Sequence, residues 1–284
     1  MAVSAAERKA DALPEISKTA LTPLFFRVAG VDRFGVLKDP VGKSFLEKLK
    51  DVPTRRDSVV DAAKFTARAK LIDDEVLEFL REQKSEVAVA NLGAGLCTRY
   101  YRVCESPRID ATKLTWFELD LPEQIELRRA LGEKESEGHI LVESDMLNKS
   151  WRSPVADVQK PKLFVIEGVL FYFTQTVVKN FFAELAEQFG GAEVVMSATT
   201  PEQAQVMNQM KKEGVGSTPN TPFKWGVSSG KEFEEIVPSV RLLRSTDQRD
   251  LIRELLTKVG KEDALEDPFY KNAGRVLHLR LAAA

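Results

Sequence analysis

The run NLGAGLCTR (Asn91 to Arg99) sets two glycines, Gly93 and Gly95, directly after an apolar stretch and ahead of a segment of helical character. Glycines at such a junction let backbone N–H groups close on a ligand at the positive end of a helix. Open α/β sheets bind their ligands outside the carboxyl ends of the strands, so the chemistry expected here is that of a nucleotide-like cofactor. The next apolar stretch ends in FELD, with Asp120 about 25 residues beyond the glycines. From there a carboxylate can accept hydrogen bonds from both ribose hydroxyls. Strand alternation turns Glu118 to the same face as Asp120, which makes both of them cofactor candidates, Asp120 the better placed.

The kind of nucleotide follows from what the loop lacks. A dinucleotide site needs a third small residue where this chain has Thr98, and it usually opens at the first strand of a domain. Here about 85 residues precede the loop. Both features favour S-adenosylmethionine, which has no pyrophosphate to seat. On residues alone, an NAD(P)-dependent oxidoreductase and a non-catalytic S-adenosylmethionine-binding protein stay open as alternatives.

The elements that must position these groups are read from hydrophobic period. Segments over Thr19 to Ala29, Val41 to Leu49, Val59 to Arg68 and Asp73 to Glu82 carry helical spacing and predict an N-terminal helical cap over 1–84. Strands are expected at Val87 to Leu92, Leu114 to Leu119, His139 to Glu143, Lys162 to Glu167 and Ala192 to Ala198, then near Val240 to Leu243 and at Arg275 to Leu281. Helical stretches between the earlier strands predict a Rossmann-like α/β fold. Its seven-stranded sheet is mostly parallel, with helices on both faces. A short connection between the last two strands would make one strand antiparallel. The helix after the fourth strand is the plainest: Thr174 caps it, Val177, Val178, Phe181, Phe182, Leu185 and Phe189 form its apolar stripe, and Gly190 ends it. Residues 85–284 form the cofactor-binding core, joined to the cap in one unit. Within that core the stretch over about 200–226, rich in Gln, Lys, Gly, Pro and Thr, is the expected lid.

Among 284 residues the formal net charge is −2, with no basic footprint that would point to nucleic acid or a membrane surface. The N-terminal stretch lacks the apolar core of a signal peptide, and a cytoplasmic location is expected. Cys97 and Cys104, read as one helix, stand roughly 10 Å apart along its axis, beyond disulfide reach, and their spacing suits no metal site. His139 and His278 fall within strands and are expected to be structural. Tyr100, Tyr101, Phe171, Tyr172 and Phe173 could line a pocket for a planar acceptor. Tyr172 and Trp225 are the first candidates for substrate contact.

Several ordered motifs carry a resemblance: TALTPLFFRVA (Thr19 to Ala29), LKDP (Leu37 to Pro40), ARAKLIDDEV (Ala67 to Val76), NLGAGLCTRYYR, WFELDLPEQIELRR (Trp116 to Arg129), SDM (Ser144 to Met146) and EGVLFYFT (Glu167 to Thr174). Over most of its length the chain resembles the leucine carboxyl methyltransferase family, in particular its polyketide O-methyltransferase branch. The resemblance implies that Arg68 pairs with the carboxylate of the cofactor's methionine moiety, with Lys18 a weaker candidate for the same group. It implies further that Gly93 and Gly95 line that moiety and Asp120 holds the ribose. Asp145 and Met146 would flank the adenine, and Glu167 would sit near the cofactor amine. Cys97 departs from the aspartate common after GAGL in the family.

The activity implied is O-methylation of a small molecule in secondary, polyketide-like metabolism, by a monomer or homodimer, leaving S-adenosylhomocysteine as product. Methylation of a protein C-terminal carboxylate, as in the family's namesakes, is the alternative. A carboxylic acid is ionised at neutral pH, whereas a phenol of pKa near 10 costs about 4 kcal/mol to deprotonate. With no histidine placed as a base, a carboxylate or an acidic phenol is the expected acceptor. No catalytic base is assigned.

Overall fold

The structure is a computed structural model and describes residues 5–11, 13–49, 58–156, 160–212, 221–266, 268–271 and 273–283. The N-terminal region, expected to be a cap, is built from α1 (Ala5–Asp11), α2 (Glu15–Lys18), α3 (Leu21–Phe34), α4 (Pro40–Lys48) and α5 (Val59–Glu82), the last of which packs on the sheet. Helix α3 stops where Gly35 turns left-handed at φ 65°. Helix α4 starts where Asp39 accepts the Gly42 N–H at 2.9 Å, with Pro40 in the first turn. The two segments expected over Val59 to Arg68 and Asp73 to Glu82 are one helix of 24 residues. No glycine or proline interrupts this stretch, and its buried positions run through the gap at Ala69 and Ile72.

Among the described residues the sheet has seven strands: β1 (Val87–Leu92), β2 (Leu114–Asp120), β3 (His139–Glu143), β4 (Lys162–Ile166), β5 (Glu193–Ala198), β6 (Val240–Asp247) and β7 (Arg275–Leu281). Their order is β3-β2-β1-β4-β5-β7-β6, and β7 alone runs antiparallel to its neighbours β5 and β6. Strand β1 is buried along its whole length because helices cover both faces of the sheet. On one face Ile72, Val76 and Phe79 of α5 pack on Val89, Trp116 and Val165. On the other, Phe182 and Leu185 of the helix Gln175–Phe189 pack on Phe117, Phe164 and Met196. Thr174 caps that helix, its hydroxyl accepting from Val177 N–H.

After the cap the helices in chain order are α6 (Arg99–Cys104), α7 (Pro122–Ala130), α8 (Arg152–Ala156), α9 (Gln175–Phe189), α10 (Pro201–Lys212), α11 (Gly230–Ile236), α12 (Gln248–Lys258) and α13 (Pro268–Lys271). The reversed strand is present, but the short connection expected before it is not: α12 and α13 lie between β6 and β7. Strand β6 also runs on to Asp247, past the expected Leu243, because a register shift between Leu242 and Arg244 breaks the alternation that marks a strand in sequence. The expected lid over 200–226 opens with helix α10, and its end is pinned where Asn208 pairs through both side-chain atoms with the backbone of Phe223, each at 2.8 Å. Residues 213–220 of that stretch lie outside the described residues. Among the described residues no helix is long and apolar enough to cross a membrane.

Candidate active site

Strand order reverses between β1 and β4, and a cavity of about 380 Å³ opens at the carboxyl ends of the strands there. Gly93 and Gly95 adopt φ of 68° and 52°, a region other residues rarely enter. A Cβ on Gly93 would come within 3.1 Å of Val169, and one on Gly95 within 3.1 Å of Ala20. Asp120 fixes the loop: Oδ2 accepts the Gly95 N–H at 2.6 Å and Oδ1 the Leu121 N–H at 2.7 Å. From the other side Arg128 donates to the Gly95 carbonyl at 2.8 Å. Burial pushes the Asp120 carboxyl up, and the two backbone N–H groups only partly offset this. A carboxylate has about four acceptor sites, so ribose hydroxyls can still bind to it.

A chain of buried ion pairs backs the loop. Glu167 accepts from Arg68 Nε and from Arg99 Nη2, each at 2.7 Å. Arg99 Nε reaches Asp73 at 2.6 Å, and Arg102 Nε reaches the second Asp73 oxygen at 2.7 Å. Asp39 closes the chain, accepting from Arg27 at 2.7 Å, Thr98 at 2.6 Å and Arg102 at 3.3 Å. Burial alone would raise Asp39, but the charges of Arg27 and Arg102 and the Thr98 hydroxyl outweigh it and bring the carboxyl down to about 2. At Glu167 burial is likewise overcome by Arg68 and Arg99, which hold the group well below the usual carboxylate range. Within this chain the guanidiniums Arg27, Arg68, Arg99 and Arg102 face the carboxylates Asp39, Asp73 and Glu167. Arg68 is the member of this chain that presents a guanidinium to the cavity from α5, a fork suited to a ligand carboxylate.

Beyond β4 the wall becomes aromatic. Phe171 and Phe223 stack at 4.0 Å with 23° between their planes, and Tyr172 meets Phe223 edge-on at 5.5 Å. Met207 and Gln203 of α10 also line this side, while Ile16, Ser17, Ala20 and Pro23 of the cap lie over the glycine loop. The Ser17 hydroxyl ties that cover to Glu123 of α7 at 3.1 Å.

The cavity brings together Arg68, Gly93, Gly95, Asp120, Asp145, Met146, Glu167 and Tyr172. Glu118 is placed differently. It is 0% exposed, accepts from Asn91 at 2.7 Å and Trp116 at 2.9 Å, and lies beside Arg128, outside the cavity lining. Two residues before Asp120, both of its oxygens are already taken by buried neighbours. Lys18 is off the cavity as well, paired with Glu15 at 3.3 Å within α2. Trp225 packs against Phe233 at 5.8 Å in the core instead of lining the cavity. Tyr100 and Tyr101 also belong to packing, Tyr100 stacked on His139 at 3.9 Å. Cys97 precedes α6 instead of lying in it, lines the cavity, and accepts from Arg99 at 3.2 Å; both cysteines are free. Sequence reasoning missed Phe223, Met207 and Gln124, which enter the lining from a coil and from two helices whose facing sequence alone does not reveal.

Both histidines are held elsewhere. His139 is buried under Tyr100, and His278 bridges Glu75 at 2.8 Å and Glu193 at 2.7 Å. Glu118, Glu133 and His139 bring potential metal-ligand atoms within 4.8 Å of one another. Arg128 sits among them, 2.8 Å from Glu133 and 3.4 Å from Glu118, and already supplies the positive charge these carboxylates require.

Topology, glycine loop and the acid ending β2 together define a class I S-adenosylmethionine-dependent methyltransferase fold. The chain belongs to the leucine carboxyl methyltransferase family, whose model matches residues 1–186, and S-adenosylmethionine is its cofactor. No curated protein matches the sequence significantly. Among solved structures, a protein of Thermobifida fusca for which methyltransferase activity has been suggested shares 15% identity over 86% of this chain and 87% of its own, with a TM-score of 0.54. A DUF574 family protein of Streptomyces avermitilis shares 14% over 85% and 89%, with a TM-score of 0.52. These likenesses are of fold. The residues present fit the cofactor: the glycine cradle would be filled by any Cβ, Asp120 keeps free acceptor sites, and Arg68 offers cationic surface.

Proposed function

We propose that the protein methylates an acidic oxygen, a carboxylate or an acidic phenol, of a small planar molecule in secondary, polyketide-like metabolism. One observation carries this reading: the cofactor half of the cavity continues into the aromatic side formed by Phe171, Tyr172 and Phe223, with Met207 beside it. Arg68, Asp120, Asp145 and Met146 would hold the cofactor, which when bound supplies a methyl group on a sulfonium open to in-line displacement. Glu167 acts one step back, fixing the guanidiniums of Arg68 and Arg99. The stacked rings would orient a flat acceptor by offset packing and exclude water, and alignment at near-attack distance supplies most of the rate. Neither histidine reaches the cavity to serve as a base, which supports an acceptor that arrives ionised.

The test incubates the purified protein and S-adenosylmethionine with three acceptor sets: aromatic carboxylic acids, acidic phenols, and a peptide ending in leucine. Methyl ester or aryl ether formation stoichiometric with S-adenosylhomocysteine is the expected result. Turnover of the peptide alone would move the reading to protein carboxyl methylation. Cofactor binding without any turnover would leave a binding protein.

A further inference from the structure

Helix α7 leaves the carboxyl end of β2 immediately after Asp120, and its first turns are divided between two tasks. Glu123 reaches outward to Ser17 of the cap. Gln124 and Arg128, one turn apart, share the buried inner face, and Arg128 reaches the glycine loop. Arg128 is held through both terminal nitrogens, by the Gly95 carbonyl and by Glu133, each at 2.8 Å, and its Nε is ion-paired with Glu133 at 2.6 Å. Gln124 is not held in this way: it is 1% exposed, it lines the cavity beside Asp120 and Gly95, and neither its Oε1 nor its Nε2 has a hydrogen-bond partner among the described residues.

A buried carboxamide lacking both of its partners destabilises a fold and calls for a specific account. We infer that Gln124 recognises the cofactor ribose, its carboxamide and the Asp120 carboxylate together clamping the hydroxyl pair. An ionised carboxylate only accepts, so Asp120 can use the hydroxyl hydrogens but leaves the hydroxyl oxygens without a donor. Nε2 of Gln124 is such a donor, and Oε1 is a further acceptor. The backbone brings the two residues to one wall, since Gln124 N–H closes the first turn on the Leu121 carbonyl at 2.9 Å.

This inference rests on S-adenosylmethionine being the cofactor, so the wild type is titrated first with S-adenosylhomocysteine. Failure to bind it would sink the cofactor reading and leave Gln124 aside. Gln124→Met keeps length and burial while removing both polar atoms. Calorimetric titrations compare wild type and variant on S-adenosylhomocysteine and on its 2′-deoxy and 3′-deoxy analogues, and the ligand-free proteins are melted in parallel. The variant should bind S-adenosylhomocysteine about tenfold more weakly. That loss should largely vanish on the analogue lacking the contacted hydroxyl, and the ligand-free melting temperature should hold or rise. Unchanged affinity, an equal loss on all three ligands, or a lower ligand-free melting temperature would each overturn the inference. Gln124→Leu repeats the comparison with a second apolar side chain.

Discussion

At the scale of single residues, Asp120 serves two purposes at once: it holds the Gly95 and Leu121 N–H groups and keeps acceptor sites for a ribose. Asp120→Ala should therefore abolish measurable S-adenosylhomocysteine binding while the far-UV circular dichroism stays native; retained micromolar affinity would end the ribose assignment. Arg68 stands at the charged end of the buried ion-pair chain, with Glu167 on Nε. Arg68→Met should weaken cofactor binding by about 1.5–3 kcal/mol, the worth of a charged hydrogen bond. Equal affinities by calorimetry would remove it from the site. Glu118 shows where residue-level reasoning stops: its type and alternation suit a cofactor ligand, but Asn91, Trp116 and Arg128 use up its oxygens.

At the scale of elements, the glycine turn is the part most open to a minimal perturbation. Gly93→Ala adds a Cβ at φ 68° within 3.1 Å of Val169, so backbone strain and the clash act together, on the order of 1–3 kcal/mol. A lower melting temperature with cofactor affinity lost is the expected result; an alanine variant that binds normally would show the cradle to be slack. These strands and this turn were legible because each parallel strand is a continuous apolar run, which needs both faces covered. The helix start at Thr174 was legible too, since a capping side chain is a local matter, whereas the cap at Asp39 was not read. What sequence concealed depends on distant packing: the fusion of two helical segments into α5, the bulge within β6, and the placement of Lys18 and Trp225 away from the cavity, Lys18 at the surface with Glu15 and Trp225 against Phe233. The aromatic wall was half visible, as Phe171 and Tyr172 follow β4, whereas Phe223 arrives through its pairing with Asn208.

At the scale of the whole molecule, two titrating groups add pH-dependent stability, one on the acid side and one on the alkaline side. Asp39 lies at about 2, below its ordinary 3.8, so its contribution is present above about pH 4 and lost as pH falls toward 2. For His278, burial alone would lower the ring, but hydrogen bonds to Glu193 and Glu75 and their charges raise it to about 9 from 6.5. Its contribution is complete below pH 6.5 and disappears as pH climbs through about 9. After discounting for screening by neighbouring Arg244 and Arg280 we expect on the order of 1–2 kcal/mol, roughly 3–6 °C in melting temperature. His278→Gln should flatten that alkaline limb in calorimetric scans; an unchanged slope between pH 6.5 and 9 would discount the pairing. The same histidine shows what α5 does mechanically. Its first turns meet the cavity at Lys64 and Arg68, and its last turns hold His278 and Arg244 through Glu75 and Glu78. A rod of 24 residues, about 36 Å long, thus has one end in each neighbourhood. Amide hydrogen exchange along it should slow as a single block when S-adenosylhomocysteine is added, carrying protection to the β6–β7 edge that the ligand never touches.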